Sequence, residues 1–132
     1  MILVDSSVWI EYFNGQINPK TDWLHSALGK EIIITGDLIL TEVLQGFKSE
    51  RDFLRAKKLL SNFRFMEMLG WEIAVKSARN YRTLRRRGVT VRKTIDVIIG
   101  TFCIQHDMAL LHDDRDFDPL VEFLGLKTIR CE

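Results

Sequence analysis

The sequence predicts an α/β fold in which a central, mostly parallel sheet of four or five strands lies between two layers of helices. Short apolar runs of strand length alternate along the chain with longer segments whose apolar residues recur at helical spacing. The chain of 132 residues is 46% hydrophobic and has no repeat, biased tract or linker, so we expect one domain over residues 1–132.

Two strands and four helices are predicted in the first half of the chain. The first two helices start at the cap residues Ser6-Ser7 and Asn18-Pro19 and end before Asn14-Gly15 and Gly29. In chain order, the first half has a strand over 2–4, these two helices, a β-branched strand over 32–35, and helices over 38–47 and 52–63.

The second half predicts a long amphipathic helix closed by Gly88 and a helix, capped by Thr94, that is apolar nearly all round and should therefore be buried. Shorter elements surround these two helices. In chain order, the second half has a strand over 65–69, the helices over 71–87 and 95–107, a strand over 109–111, a helix over 120–124 and an edge strand over 127–130.

The charge balance and the apolar segments exclude several classes of protein. The 19 basic and 18 acidic residues nearly cancel, which argues against a protein that coats polyanions indiscriminately. No apolar stretch is long enough to span a bilayer, and the first residues lack the basic start of a secretory signal. Cys103 and Cys131 are too few for a disulfide framework, and Cys103 lies in an apolar run that predicts a buried free thiol. We therefore expect a soluble, cytoplasmic protein.

Four carboxylates stand in segments that should be buried. Asp5 follows the first strand, Glu42 and Asp96 lie inside apolar helices, and Asp114 comes shortly after a late strand. A buried carboxylate without a partner is costly, and a divalent cation shared by all four would satisfy them together. Carboxylate and water ligands suit Mg²⁺, with Mn²⁺ as the alternative.

The predicted topology supports grouping these four acids. Asp5 and Asp114 would lie at or just past the carboxyl ends of strands, the edge at which open parallel sheets bind ligands. Glu42 and Asp96 would lie in the first turns of helices that pack on the sheet. Each acid alone has an ordinary explanation as a turn, cap or surface residue, but the four in this order fit one site better.

Four sequence motifs in this order resemble those of PIN-domain nucleases, specifically the VapC-type toxins of toxin–antitoxin pairs. The motifs are Ile2–Ile10, Leu40–Gly46, Thr94–Gly100 and Leu110–Phe117. The resemblance covers essentially the whole chain and implies a three-layer α/β/α PIN-like fold. His112 departs from the family's usual Thr or Ser, and Asp113 is an additional acid. Either Asp114 or Asp116 could be the fourth site acid, and the motif spacing favours Asp114.

The resemblance implies a Mg²⁺-dependent endoribonuclease in which a metal-activated water attacks the phosphodiester of RNA. Asp5 and Asp96 would then bind the metal directly. Glu42 and Asp114 would bind it through water, complete a second metal site when the substrate supplies a phosphate oxygen, or orient the attacking water. Three further residues have auxiliary roles in this interpretation: Ser6, Ser7 and Asp116. The expected products carry a 5′-phosphate and a 3′-hydroxyl.

A basic segment over residues 76–93 predicts a track for the RNA substrate, because it carries eight bases and no acid. Arg79, Arg82 and Arg86 fall on one helix face, and Arg92 and Lys93 continue toward Asp96 in sequence. The ordinary alternative is a solvated helix face.

Protein partners are also implied by the resemblance, which predicts a homodimer neutralised by a cognate antitoxin of the VapB type. We place the hydrophobic groove for the antitoxin around Trp9, Phe13, Leu44 and Phe47. No membrane partner is expected.

Two other functions fit parts of the sequence. One is a PIN-domain ribonuclease of RNA maturation or decay that has no antitoxin, and the other is a non-catalytic nucleic-acid-binding module whose acids are structural. A receiver-type phosphoacceptor domain is disfavoured because Asp5 is followed by two serines instead of a second acid. The sequence does not identify the RNA that would be cleaved.

Overall fold

The computed structural model describes residues 1–131. These residues fold around one four-stranded sheet in the order β3-β2-β1-β4, in which all neighbouring strands are parallel. The strands are β1 (Ile2–Val4), β2 (Ile33–Gly36), β3 (Arg64–Met66) and β4 (Ala109–Leu111). The α/β class and the parallel sheet predicted from the sequence are thereby confirmed.

Seven α-helices and one 3-10 turn make up the rest of the regular structure over residues 1–131. The helices are α1 (Ser6–Phe13), α2 (Pro19–Ala27), α3 (Asp37–Leu44), α4 (Glu50–Leu60), α5 (Trp71–Arg86), α6 (Thr94–Gln105) and α7 (Asp118–Leu124), and the 3-10 turn is Arg115–Phe117.

The order of the strands distributes the helices over two faces of the sheet. From β1 to β2 and from β2 to β3 the chain moves one strand in the same direction, whereas from β3 to β4 it returns past β1. Because crossovers between parallel strands are right-handed, α1 to α4 cover one face and the helices after β3 cover the other. The carboxyl ends of all four strands meet at one edge.

Two predicted helix caps are wrong. The cap of α1 is Asp5, whose side chain accepts the Ser7 backbone N–H at 3.1 Å, so Ser6 and Ser7 are already helical. The cap of α6 is Lys93, with no side-chain hydrogen bond, and Thr94 is the first helical residue. The predicted cap at Asn18 is confirmed, because its side chain accepts the N–H groups of both Lys20 and Thr21.

The predicted strands over 65–69 and 127–130 also differ from the structure. The chain leaves β3 after Met66 because the Met68 backbone N–H donates to the Asp37 side chain at 3.0 Å. Near the C-terminus, the only bridge to the sheet within the described residues joins Leu110 to Thr128. Leu110 donates its N–H to the Lys127 carbonyl at 2.9 Å and accepts the Ile129 N–H at 3.1 Å, so the segment pairs with β4 at one residue and not as a full strand.

The core lies between the sheet and the two helix layers. Trp9 of α1, Phe102 of α6 and Phe117 of the 3-10 turn are fully buried, and α6 is the helix with the most buried residues, as its sequence predicts. A Cβ atom at Gly100 would clash with Leu120, so glycine allows α7 to approach α6. Cys103 is a buried free thiol, as expected. Across residues 1–131, no helix has the length and hydrophobicity needed to cross a membrane.

Candidate active site

The carboxyl end of β1 presents Asp5, which is only 3% exposed. Its Oδ2 atom accepts hydrogen bonds from the Ser7 hydroxyl at 2.6 Å and from the Ser7 backbone N–H at 3.1 Å. Burial raises the pKa of the Asp5 carboxyl, and the hydrogen bonds from Ser7 oppose that shift. Ser7 therefore fixes the orientation of Asp5 at the centre of the sheet edge.

Glu42 lies beside Asp5 but is reached through α3. Because α3 begins at Asp37, directly after β2, Glu42 falls in the second turn of the helix, and the expectation of a first-turn position is wrong. The Ser6 hydroxyl donates to Glu42 Oε1 at 3.0 Å and so links α1 to α3. Burial raises the pKa of Glu42, and the negative charge of Asp5 adds to the shift.

Asp96 is the most exceptional carboxylate of the site. It lies in the first turn of α6 and is only 5% exposed, and its Oδ2 atom accepts no hydrogen bond within the described residues, although Lys93 Nζ lies 3.5 Å away as an ion-pair partner. Burial raises its pKa to about 6, against the lowering effect of Lys93, and the charges of Asp114 and Asp5 add to the rise. A buried oxygen without a donor is costly and indicates that a ligand belongs beside it.

Asp114 and Asp116 follow β4 and face Asp96. Asp114 caps the 3-10 turn by accepting the Asp116 backbone N–H at 2.9 Å. Burial alone would raise the pKa of Asp114, but this N–H and Lys93 outweigh burial and lower it. Asp96, Asp114 and Asp116 each offer an oxygen within 4.8 Å of the others. We call these three residues the carboxylate triad.

The predicted site acids do not all lie equally close together in the structure. Asp116, which the sequence suggested as an auxiliary residue, is a member of the triad together with Asp96 and Asp114. Asp5 and Glu42 are outside the triad but close to it: the charge of Asp5 raises the pKa of Asp96, and the charge of Asp114 raises the pKa of Glu42. The Asp-x-Asp spacing of residues 114 and 116 was the available sequence signal for this pair.

Lys93 points its ammonium group into the triad. Its Nζ atom is 3.0 Å from Asp114 Oδ2, 3.5 Å from Asp96 Oδ2 and 3.9 Å from Asp116 Oδ2. The hydrogen bond to Asp114 and the charge of Asp96 raise the pKa of Lys93. In this conformation the lysine contacts protein carboxylates, so it is not displayed as a free cation for RNA. No pattern in the sequence could have indicated this direction of the side chain.

The other basic residues of the predicted track are exposed. Arg79, Arg82 and Arg86 lie on the outer surface of α5, and Arg92 is exposed in the loop before α6. A small cleft of about 60 Å³ lies between this loop and the triad, and Arg92, Lys93 and Arg115 are among its lining residues. Their role in binding RNA stays a prediction.

His112 and Asp113, which depart from the family's motif, make structural contacts. The His112 ring packs on Phe117 with 4.9 Å between the centroids, and its Nδ1 lies 3.3 Å from the Asp114 backbone N–H. Burial lowers the pKa of His112, followed by the charge of Lys20, and both favour the neutral ring. Asp113 forms an ion pair with Lys20 at 2.8 Å.

A groove lies away from the triad, between the end of α1 and α4. It encloses about 400 Å³, and its lining residues are Phe13, Asn14, Phe47, Asp52, Arg55, Ala56 and Leu59. Phe13 and Phe47 were predicted for such a groove. Trp9 is completely buried beneath Phe13, with ring centroids 5.7 Å apart, so the expectation that Trp9 is an accessible contact residue is wrong. Leu44 is half-buried and is not among the lining residues.

The parallel sheet and the acidic residues at the carboxyl ends of its strands are arranged as the four sequence motifs require. The chain belongs to the PIN domain family, whose sequence profile matches residues 2–121. The resemblance drawn from the motifs is thereby confirmed.

Individual proteins are also similar to this chain in sequence or in fold. The chain is 29% identical over 133 residues to the ribonuclease VapC11 of Mycobacterium tuberculosis, with 97% of each chain covered. Its fold is similar to that of VapBC2 from Rickettsia felis bound to a promoter DNA fragment, with a TM-score of 0.79, 14% identity and 100% of both chains covered. It is also similar to a toxin–antitoxin complex from Klebsiella pneumoniae, with a TM-score of 0.72, 18% identity and coverage of 98% and 97%.

Proposed function

We propose that this protein is a divalent-metal-dependent endoribonuclease that acts as the toxin of a toxin–antitoxin pair. The observation that carries the chemistry is Asp96 Oδ2, a buried carboxylate oxygen that accepts no hydrogen bond in the described structure and faces two further carboxylates. Membership of the PIN domain family and the similarity to a named VapC ribonuclease support RNA as the substrate.

The triad fits a hard divalent ion. It offers only oxygen ligands, which Mg²⁺ and Mn²⁺ prefer over the nitrogen and sulfur ligands of zinc sites. Asp96, Asp114 and Asp116 would hold the ion, and Asp5 and Glu42 would face it from the neighbouring elements. When bound, the ion would supply an activated water and would offset negative charge on the scissile phosphate.

Two serines would hold two of the site carboxylates in place. Ser7 orients Asp5, and Ser6 orients Glu42, so that both carboxylates keep a single position at the sheet edge. His112 packs on Phe117 and its Nδ1 accepts the Asp114 backbone N–H, so we assign it a structural role, and the mechanism needs no histidine base. This arrangement needs no attack by the RNA 2′-hydroxyl and predicts 5′-phosphate and 3′-hydroxyl ends.

Replacing Asp5 with asparagine should reduce RNA cleavage by about 100-fold, because a neutral amide weakens the acidic site while the Ser7 contact holds its position. The measurement is sequencing of RNA ends after expression of the wild type and the variant, together with cleavage in vitro with Mg²⁺ or excess EDTA.

Asp107→Asn is the matched control for this experiment, because Asp107 is exposed and pairs only with Lys127 in the described structure. Its positive φ of 53° is one that asparagine tolerates. Undiminished cleavage in EDTA would overturn the metal mechanism, and absence of cleavage by the wild type under all metal conditions would favour a non-catalytic binding module.

Reversing the charges of Arg82 and Arg86 on α5 should weaken binding of single-stranded RNA by about tenfold and flatten its salt dependence, since each lost phosphate contact reduces the slope by about 1. Fluorescence anisotropy in EDTA measures binding without cleavage. The matched control is reversal of Lys57 and Lys58, which are exposed on α4. If both double variants show the wild-type slope, α5 is not the RNA track.

The groove containing Phe13 and Phe47 is proposed as the docking site of an antitoxin segment. Its lining combines the aromatic rings of Phe13 and Phe47 with the charged side chains of Asp52 and Arg55, which suits an amphipathic peptide segment. The K. pneumoniae neighbour is a toxin–antitoxin complex, which supports a partner of this kind.

A ribonuclease of RNA maturation would differ by having no small upstream overlapping gene and by causing no growth arrest on expression. The homodimer stays a prediction, which sedimentation equilibrium tests.

A further inference from the structure

Lys93 occupies a position at which a lysine is locally unfavourable. It is the N-cap of α6, and its side chain makes no capping hydrogen bond. Cap positions favour Ser, Thr, Asp or Asn, and the positive end of the helix dipole opposes a cation there. A residue that breaks local rules in this way usually has a compensating contact or function.

The compensating contact is the carboxylate triad. Lys93 Nζ lies within 4 Å of one oxygen from each of the three acids, at 3.0, 3.5 and 3.9 Å. Within residues 1–131, no other basic side chain forms an ion pair with any of these acids. The ammonium therefore stands among the three carboxylates that would bind a divalent ion.

The flexible side chain of Lys93 allows its ammonium group to leave the carboxylate triad. About half of the Lys93 side chain is exposed, compared with 7% of the Asp96 side chain. A lysine side chain has four rotatable bonds and can move its ammonium group into water without movement of the backbone. A divalent ion and the Lys93 ammonium cannot both have these oxygens as close neighbours without repulsion.

We propose that Lys93 is a tethered competitor of the divalent ion, occupying the triad in the metal-free protein and leaving it when the ion binds. This inference rests on the proposed metal-dependent function. The ammonium neutralises part of the buried negative charge when no ion is present, which stabilises the metal-free fold. The same contacts must be broken by the incoming ion, so they weaken its binding.

Titration calorimetry with Mn²⁺ tests the proposal on the full chain. Lys93→Met keeps the length and apolar stem of the side chain but removes its charge. We expect Lys93→Met to bind Mn²⁺ at least about fivefold more tightly than the wild type, the lower range of ordinary coupling between two ligands. In EDTA the variant should unfold at a lower temperature than the wild type, and Mn²⁺ should raise its Tm more.

Two further variants separate the specific contact from a general charge effect. Lys127→Met removes a lysine that pairs with exposed Asp107 away from the triad, so it should bind Mn²⁺ within about twofold of the wild type. Lys93→Arg keeps a cation on a long side chain at this position, so it should bind Mn²⁺ as weakly as the wild type.

The outcomes distinguish this inference from the proposed function. Equal Mn²⁺ affinity in the wild type and Lys93→Met overturns the tethered competitor and leaves the metal-dependent nuclease intact. An equal gain in Lys127→Met also overturns it, because the effect would then be one of net charge. Absence of Mn²⁺ binding in all four proteins overturns both.

Discussion

Replacing Asp96 with asparagine is expected to reduce Mg²⁺-dependent RNA cleavage by about 100-fold or more. Asp96 is the most buried member of the triad and the only one with a fully buried oxygen that accepts no hydrogen bond in the described structure. An asparagine retains the shape but loses the charge that would hold the ion. Cleavage of labelled RNA by the purified variant measures the effect, and Asp107→Asn is again the matched control.

Asp96→Asn should also be more stable than the wild type in EDTA. Measuring its stability therefore distinguishes loss of the metal site from loss of the fold. Burial raises the pKa of Asp96 from its usual value of 3.8 to about 6, so the folded protein holds a proton that the unfolded chain releases earlier. The contribution of Asp96 to stability therefore falls as the pH rises from about 4 to about 6 and stays low above it. Because asparagine does not ionise, the stability of Asp96→Asn should fall less than that of the wild type over this pH range. Wild-type cleavage, or a lower Tm at pH 7 in EDTA, would contradict the assignment.

Replacing Phe47 with glutamate is expected to weaken the complex with the antitoxin by about 30-fold or more, because an aromatic residue at the centre of an interface contributes about 2 kcal/mol or more to binding. Phe47 is half-buried and packs edge-on against Phe13, with ring centroids 5.8 Å apart. Co-purification with the small protein encoded by an overlapping upstream gene, followed by calorimetry, measures the loss.

Phe65→Glu provides the control for the groove, since Phe65 lies on β3, is 50% exposed and does not line the groove. Its complex should have the wild-type affinity. Thermal unfolding of both free variants shows whether either change damages the fold. An unchanged affinity in a folded Phe47→Glu protein would place the antitoxin elsewhere on the surface.

The elements that the sequence predicted well have strong local signals. The strand before Asp5 and the strand before Asp114 are continuous apolar runs, and α6 is apolar nearly all round. The errors lie where local signals are weak or compete. Asp5 is a better cap than the serines after it, because its carboxylate accepts the Ser7 N–H. Glu42 was expected in the first turn of its helix, but it is the sixth residue of α3 and therefore lies in the second turn.

Side-chain direction accounts for the remaining differences. Trp9 was expected at an accessible surface, but its position in α1 turns the indole into the core against Phe63. Helical spacing defines which residues share a face, and it does not say which aromatic of that face lies deepest. The strand predicted over 127–130 is reduced to a single bridge, because this segment exchanges backbone hydrogen bonds with Leu110 of β4 alone in the described residues.

The sequence by itself determined the α/β class, the parallel sheet, the family and the presence of acids after two strands and within two helices. These properties follow from apolar periodicity and from motifs in order, which are local along the chain. Only the tertiary structure decided that Asp116 joins Asp96 and Asp114, and that the Lys93 ammonium stands among them. Those contacts join residues from separate elements, and their distances depend on how α6 and the segment after β4 pack against each other.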